Sequence, residues 1–145
     1  MGKLFAIVLA ILFSFQVSAA GRPWTQQDIL REMSSEFAYC ASYYGISQTC
    51  AERSGAKELA KQLDGPIDKA SDASLQFGMK SGMTQEAVDA FILLTVRSFR
   101  DLIHDDCANL SIAILKYAES CKALMENPTG RISVLKKGSP PDAPK

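Results

Sequence analysis

The sequence predicts an all-α fold: a bundle-like domain of four or five helices stapled by two disulfides. Three observations carry that prediction. Apolar residues recur at spacings of three and four through most of the chain. No run shows the sustained alternation of a strand. Four cysteines, Cys40, Cys50, Cys107 and Cys121, stand too far apart in sequence to form the close pairs typical of metal sites.

The chain starts with Met1-Gly2-Lys3, an apolar run from Leu4 to Phe15, and small residues up to Ala20. Together these read as a signal peptide over residues 1–20, cleaved after Ala19 or Ala20. An apolar run of about a dozen residues is too short to span the hydrocarbon core as a helix, so no stable membrane insertion is expected. The leader also distorts the composition. It supplies fifteen hydrophobic residues, and without it the 47% hydrophobic fraction falls to about 42% over 125 residues. What remains is enough for one small domain and one core.

Thr25, with Asp28 three residues on and Trp24 before it, looks like a capped helix start. Ile29, Met33, Phe37, Cys40 and Tyr44 continue as one apolar face, and Gly45 is the expected stop. A second helix is expected from Ser47 or Thr49 to Leu63, with Ala56, Leu59, Ala60 and Leu63 inward. Asp64-Gly65-Pro66 breaks it, and Pro66 suits the first turn of a third helix reaching about Met79. Ser71, Ser74 and Gly78 dilute that helix's apolar face. Thr84 caps a fourth helix with the strongest stripe in the chain: Val88, Phe91, Ile92, Thr95, Phe99, Leu102 and Ile103. Asp105-Asp106 interrupt the stripe. Leu110, Ile114, Tyr117, Cys121, Leu124 and Met125 face the core from the last helix, which Asn127-Pro128 ends. The helical domain is thus expected over 21–128, with a flexible tail over 129–145 that is rich in proline at its end.

An exported chain with an even number of cysteines reads as two disulfides. If the stretch from Asn109 to Cys121 is helical, Cys107 and Cys121 stand roughly 20 Å apart, at 1.5 Å per residue. A disulfide tolerates about 4.4–6.8 Å between Cα atoms, which disfavours the sequential pairing. The nested pairing (Cys40–Cys121, Cys50–Cys107) and the crossed one (Cys40–Cys107, Cys50–Cys121) both remain. Nested is preferred, because spans on facing antiparallel segments pair that way. The unequal spans call for an extended stretch around Gly45 to Thr49.

Composition and motifs exclude several functions. Sixteen basic residues balance sixteen acidic ones, which is not the charge of a nucleic-acid binder, so no nucleic-acid partner is expected. Lys57, Lys61 and Lys69 mix with Glu52, Glu58, Asp64 and Asp68 as solvated faces, while Arg131, Lys136 and Lys137 make the C-terminal segment mildly basic. There is no G-x-S-x-G and no glycine-rich phosphate loop, and neither a catalytic residue nor a cofactor is implied. The lone histidine, His104, stands with Asp101 and Asp105 at spacings that share a helix face if the helix persists. Those three residues could hold a divalent metal or bind a small ligand. The competing and preferred reading places His104 at a helix end, with Asp105 and Asp106 capping the next helix. Tyr39 and Tyr43 share one side of the first helix and form a candidate binding patch, since tyrosine joins a large apolar area to a hydroxyl. Tyr44 and Tyr117 are read as core fillers.

At Cys40-Ala41-Ser42-Tyr43-Tyr44, Cys107-Ala108-Asn109, Lys116-Tyr117 and Cys121-Lys122-x-Leu124-Met125 the chain resembles small exported four-cysteine helical proteins of Gram-negative bacteria. The resemblance spans about residues 36 to 128. It implies a periplasmic setting and structural cysteines, and it transfers no activity. The resulting expectation is a soluble periplasmic or secreted helical protein that binds a protein partner in the cell envelope, as an inhibitor or immunity protein does. A small-ligand or metal-binding protein and a structural or chaperone-like one are the alternatives.

Overall fold

The computed structural model describes residues 24–138, so the leader expected over 1–20 and the end of the expected tail, residues 139–145, lie outside the described residues. The described part is helical and held by two disulfides, as the cysteine count and the periodicity predicted. It runs α1 (Gln26–Arg53), α2 (Lys57–Gln62), α3 (Asp64–Lys80), α4 (Gln85–Leu102), a 3-10 turn (Cys107–Asn109), α5 (Leu110–Glu126) and α6 (Pro128–Lys136). No helix among them is long and apolar enough to cross a membrane.

Helix α1 is the axis of the fold. Its start is a complete capping box: the Asp28 amide donates to Thr25 Oγ1 at 3.1 Å, and the Thr25 amide donates to Asp28 Oδ2 at 2.9 Å. The expected stop at Gly45 does not occur, and neither does the extended stretch after it. α1 continues as helix for 28 residues, about 42 Å. Glycine costs a helix interior about 1 kcal/mol, but burial on both sides outweighs it. Phe37, Cys40 and Ala41 precede Gly45 and Ile46, Cys50 and Ala51 follow, all buried. The helix ends instead at Gly55, whose φ of +79° suits glycine. There the Gly55 amide donates to Glu52 O and the Ala56 amide to Ala51 O, a Schellman motif. α3 closes in the same way at Gly82, with φ +88°.

The serines and glycine of α3 do not weaken its packing; they allow it. Ala70, Ser74 and Gly78 lie against α1 closely enough for reciprocal hydrogen bonds: Ser34 Oγ donates to Ser74 O at 2.8 Å, and Ser74 Oγ donates to Ser34 O at 2.9 Å. Phe37 stacks on Phe77 beside them. α4 starts at its Thr84 cap and buries Val88, Thr95 and Phe99. It ends at Leu102, and Asp106 then caps the 3-10 turn through the Ala108 amide.

Both bridges take the nested pairing, Cys40–Cys121 and Cys50–Cys107, each with Cα atoms 5.4 Å apart. The spans between them are roughly 15 Å on α1 and 21 Å on the partner segment at helical rise. Both bridges nevertheless close while α1 stays helical through Cys40 and Cys50. The segment expected to be a tail from 129 is ordered helix as far as Lys136. Asn127 caps it through the Gly130 amide, Pro128 occupies the first turn, and Leu135 is fully buried. Asn127-Pro128 thus ends one helix and starts another.

Candidate functional site: a groove between α1, α5 and α6

The nested bridges make α1 and α5 antiparallel and hold them side by side. α6, folding back after Asn127, closes the lower flank. Between the three helices lies an open groove of about 890 Å³. Its α1 wall is the row Glu32, Glu36, Tyr39 and Cys40, spaced four, three and one residues apart and therefore on one helix face. The opposite wall comes from α5, with Lys116, Tyr117 and Ser120 above Leu124, and the Cys40–Cys121 bridge lies in the floor.

The two ends of the groove differ. Near α6, Arg131 Nε donates to both Glu36 oxygens, at 2.8 and 3.0 Å, and Nη2 donates to Oε1 at 2.5 Å. Both side chains are only about one-quarter exposed, so this forked pair is partly desolvated and orients both groups. Glu32 lies one turn before Glu36. Burial first, and the Glu36 charge second, push its carboxyl above the ordinary carboxylate range, with Arg131 partly offsetting them. At the other end the Tyr39 ring stacks on Tyr117, with centroids 6.3 Å apart and planes 10° apart. Phe91 meets Tyr39 edge-on at 6.1 Å, and Phe99 backs Tyr117 at 4.6 Å. The Lys116 ammonium stands 5.2 Å from the Tyr117 ring centroid.

The expected tyrosine patch splits. Tyr39 is 38% exposed and walls the groove, whereas Tyr43 is 8% exposed and belongs to the core. Ring contacts to Tyr44 and Phe99 hold Tyr43 there, and burial pushes its phenol up. The partner of Tyr39 is Tyr117, a residue read from sequence as core filler. Residues 39 and 43 do lie on one side of α1, but α4 covers the second.

Asp101, His104 and Asp105 are not brought together. α4 ends at Leu102, so the helix face that would align them is not formed, and His104 and Asp105 take φ values of +53° and +55°. Asp105 is held by Arg100 Nε at 2.6 Å. Among the described residues no three His, Cys, Asp or Glu side chains form a group able to hold a metal ion. A smaller cleft of about 260 Å³ beside Cys50–Cys107 includes this Arg100–Asp105 pair and Arg53.

Sequence reading missed Glu32, Glu36 and Arg131. The α1 pair had a usable signal, its spacing from Tyr39 and Cys40. Arg131 had none, since its ion pair spans 95 residues and rests on a helix that was read as tail.

Fold and site define the class as an all-α protein whose bridges pin a central helix and frame a groove. Such disulfides belong to an oxidising compartment. Comparison with protein-family models, with curated proteins and with solved structures finds no match.

Proposed function

We propose that this chain is an exported helical protein that works by binding a protein partner in the cell envelope, with an inhibitor- or immunity-like role, and that the α1–α5–α6 groove is its contact site. The observation that carries this reading is the exposed Tyr39 ring, braced by Tyr117 and Phe91. A rigid aromatic face with a polar flank contributes contact area at little entropic cost, which is why tyrosine anchors so many interfaces. The leader-like residues 1–20 and the two disulfides support export to the periplasm or the medium.

The test is capture from periplasmic extract, with the wild type compared with Tyr39→Ala. Circular dichroism first confirms that the variant keeps its helix content. A protein retained by the wild type and lost with Tyr39→Ala is the expected result. Equal retention by both, or none by either, overturns the reading.

A second reading rests on size. About 890 Å³ lies within the 300–1,000 Å³ typical of small-molecule sites. Native mass spectrometry of protein purified from the periplasm distinguishes the two, because a small ligand adds a small discrete mass and a protein partner adds that of a whole chain.

A further inference from the structure

The nested bridges fix the level of every groove residue. Cys40 faces Cys121 and Cys50 faces Cys107, so positions before Cys40 on α1 lie level with positions after Cys121 on the α5–α6 side. Glu32 is eight residues before Cys40, and Lys116 is five residues before Cys121, at the opposite end. At 1.5 Å per residue the two charged groups mark ends separated by about 20 Å. Between them lie the Tyr39–Tyr117 stack and Leu124. The charges within this span do not cancel evenly. Arg131 forks onto Glu36 by three short hydrogen bonds and also acts on Glu32, so this end sets two carboxylates against one guanidinium. Lys116, beside the Tyr117 ring, is the cation at the other.

We propose that the groove takes an extended polypeptide segment of the partner, about six residues long, with a basic side chain at Glu32 and an acidic one at Lys116. This deepens the protein-binding reading and rests on it. Charge complementarity and length both argue for such an occupant. A cation beside Glu32 relieves its repulsion by Glu36, and an anion at Lys116 neutralises a charge at the end of the groove where the described lining residues include no carboxylate. At about 3.4 Å per residue six extended residues span the same 20 Å. Apolar side chains in the middle of the segment lie on the tyrosine stack. A single small ion fits the site less well, because it satisfies one end and leaves the aromatic centre wet.

The probes are four pools of acetylated, amidated hexapeptides whose four central positions are drawn from Leu, Val, Phe and Tyr. Their ends are Lys and Glu, Lys and Lys, Glu and Glu, or Gln and Gln. Fluorescence anisotropy at low salt ranks them on the wild type, on Glu32→Gln and on Glu32→Lys. On the wild type the Lys/Glu pool binds best, by about tenfold over Gln/Gln, the scale of one or two charge-assisted contacts. Glu32→Gln removes most of that advantage, and Glu32→Lys transfers the preference to the Glu/Glu pool. Equal binding of all four pools, or a preference that ignores both substitutions, overturns the proposal. If Tyr39-dependent capture of a partner persists beside such a result, the protein-binding reading stands and only the dipolar segment is lost.

Discussion

Removing the disulfides one at a time tests whether the bridges stabilise this fold as a single framework. The outer bridge, Cys40–Cys121, closes a sequence separation of 81, and the inner one, Cys50–Cys107, closes 57. Taken alone, the chain-entropy relation assigns them about 4.5 and 4.2 kcal/mol at 25 °C. Because they are nested, the second bridge to form closes a much smaller ring, through residues 40–50 and back through 107–121. A ring of about two dozen residues is worth about 3.4 kcal/mol by the same relation. Each single removal should therefore cost about 3 kcal/mol and the double removal about 8 kcal/mol, more than the two singles together. Cys40 and Cys121 are 3% and 1% exposed, so alanine there leaves a small void and adds roughly 1 kcal/mol to the outer-pair figure.

The assay is urea unfolding at 25 °C, followed by circular dichroism, on Cys40→Ala/Cys121→Ala, Cys50→Ala/Cys107→Ala and the fourfold variant. The slope m should rise as bridges are lost, because the unfolded chain expands. With typical domain stabilities of about 5–15 kcal/mol, the fourfold variant should be close to unfolded without denaturant. A loss below about 1 kcal/mol for either pair, at unchanged m, refutes the reasoning. So does a fourfold variant that keeps most of its stability.

Gly78→Ala should destabilise by about 1–3 kcal/mol in the same assay, because its Cβ would stand 2.5 Å from Val88 Cγ2 and 2.9 Å from Ser34 Oγ. No measurable loss would mean that α3 can move off α1. Leu135→Ala should cost about 2–5 kcal/mol, since the side chain is fully buried in the core cluster. A change within half a unit would return α6 to the status of a tail. Glu32→Gln should raise the melting temperature at pH 7. A carboxyl titrating above its unfolded value favours folding at low pH and loses that contribution as pH rises through the folded value, so ionised Glu32 weakens the neutral-pH fold. The gain should therefore vanish below about pH 4, and a lower melting temperature at pH 7 would contradict the burial and Glu36 repulsion behind it.

Much of the helical pattern was legible because periodicity and caps agree at several places. Thr25 and Asp28 form the box that their spacing announces, Thr84 caps α4, and the Asp105-Asp106 interruption falls where α4 gives way to the 3-10 turn. The misread positions share one cause. Local conformational cost alone predicts a stop at Gly45, yet a glycine ends a helix only when the buried stripe also ends. Here the stripe continues through Ile46 and Cys50. Gly55 does end it, since the next residues, Lys57 and Glu58, are exposed and charged. In α3, too, packing outweighs local composition. Serine and glycine lower the apolar count that a periodicity argument weighs, but they also lower the separation at which two helix backbones can meet. Backbone proximity has no signature in a single sequence until the facing Ser34 is placed.

The groove shows where local reading stops for function. Its α1 wall is a boundary stripe: Glu32 and Glu36 continue, one turn at a time, into Tyr39 and the buried Cys40. A purely solvated face would not run directly into a core cysteine, so the row itself was a signal. What gives the row its chemistry comes from far away. Arg131 holds Glu36, and Tyr117 turns Tyr39 from a loose surface ring into a fixed wall. Both depend on the outer disulfide, which sets α5 against α1, and on Leu135, which seats α6. Losing the Cys40–Cys121 bridge should therefore disturb the groove more than losing Cys50–Cys107, whose half-cystines line the smaller cleft at the other end of α1. Partner capture by the two pairwise alanine variants, each tested at a temperature where its helix content is intact, separates the two. Reduced capture confined to the outer-pair variant ties binding to this groove, and equal capture by both would detach it.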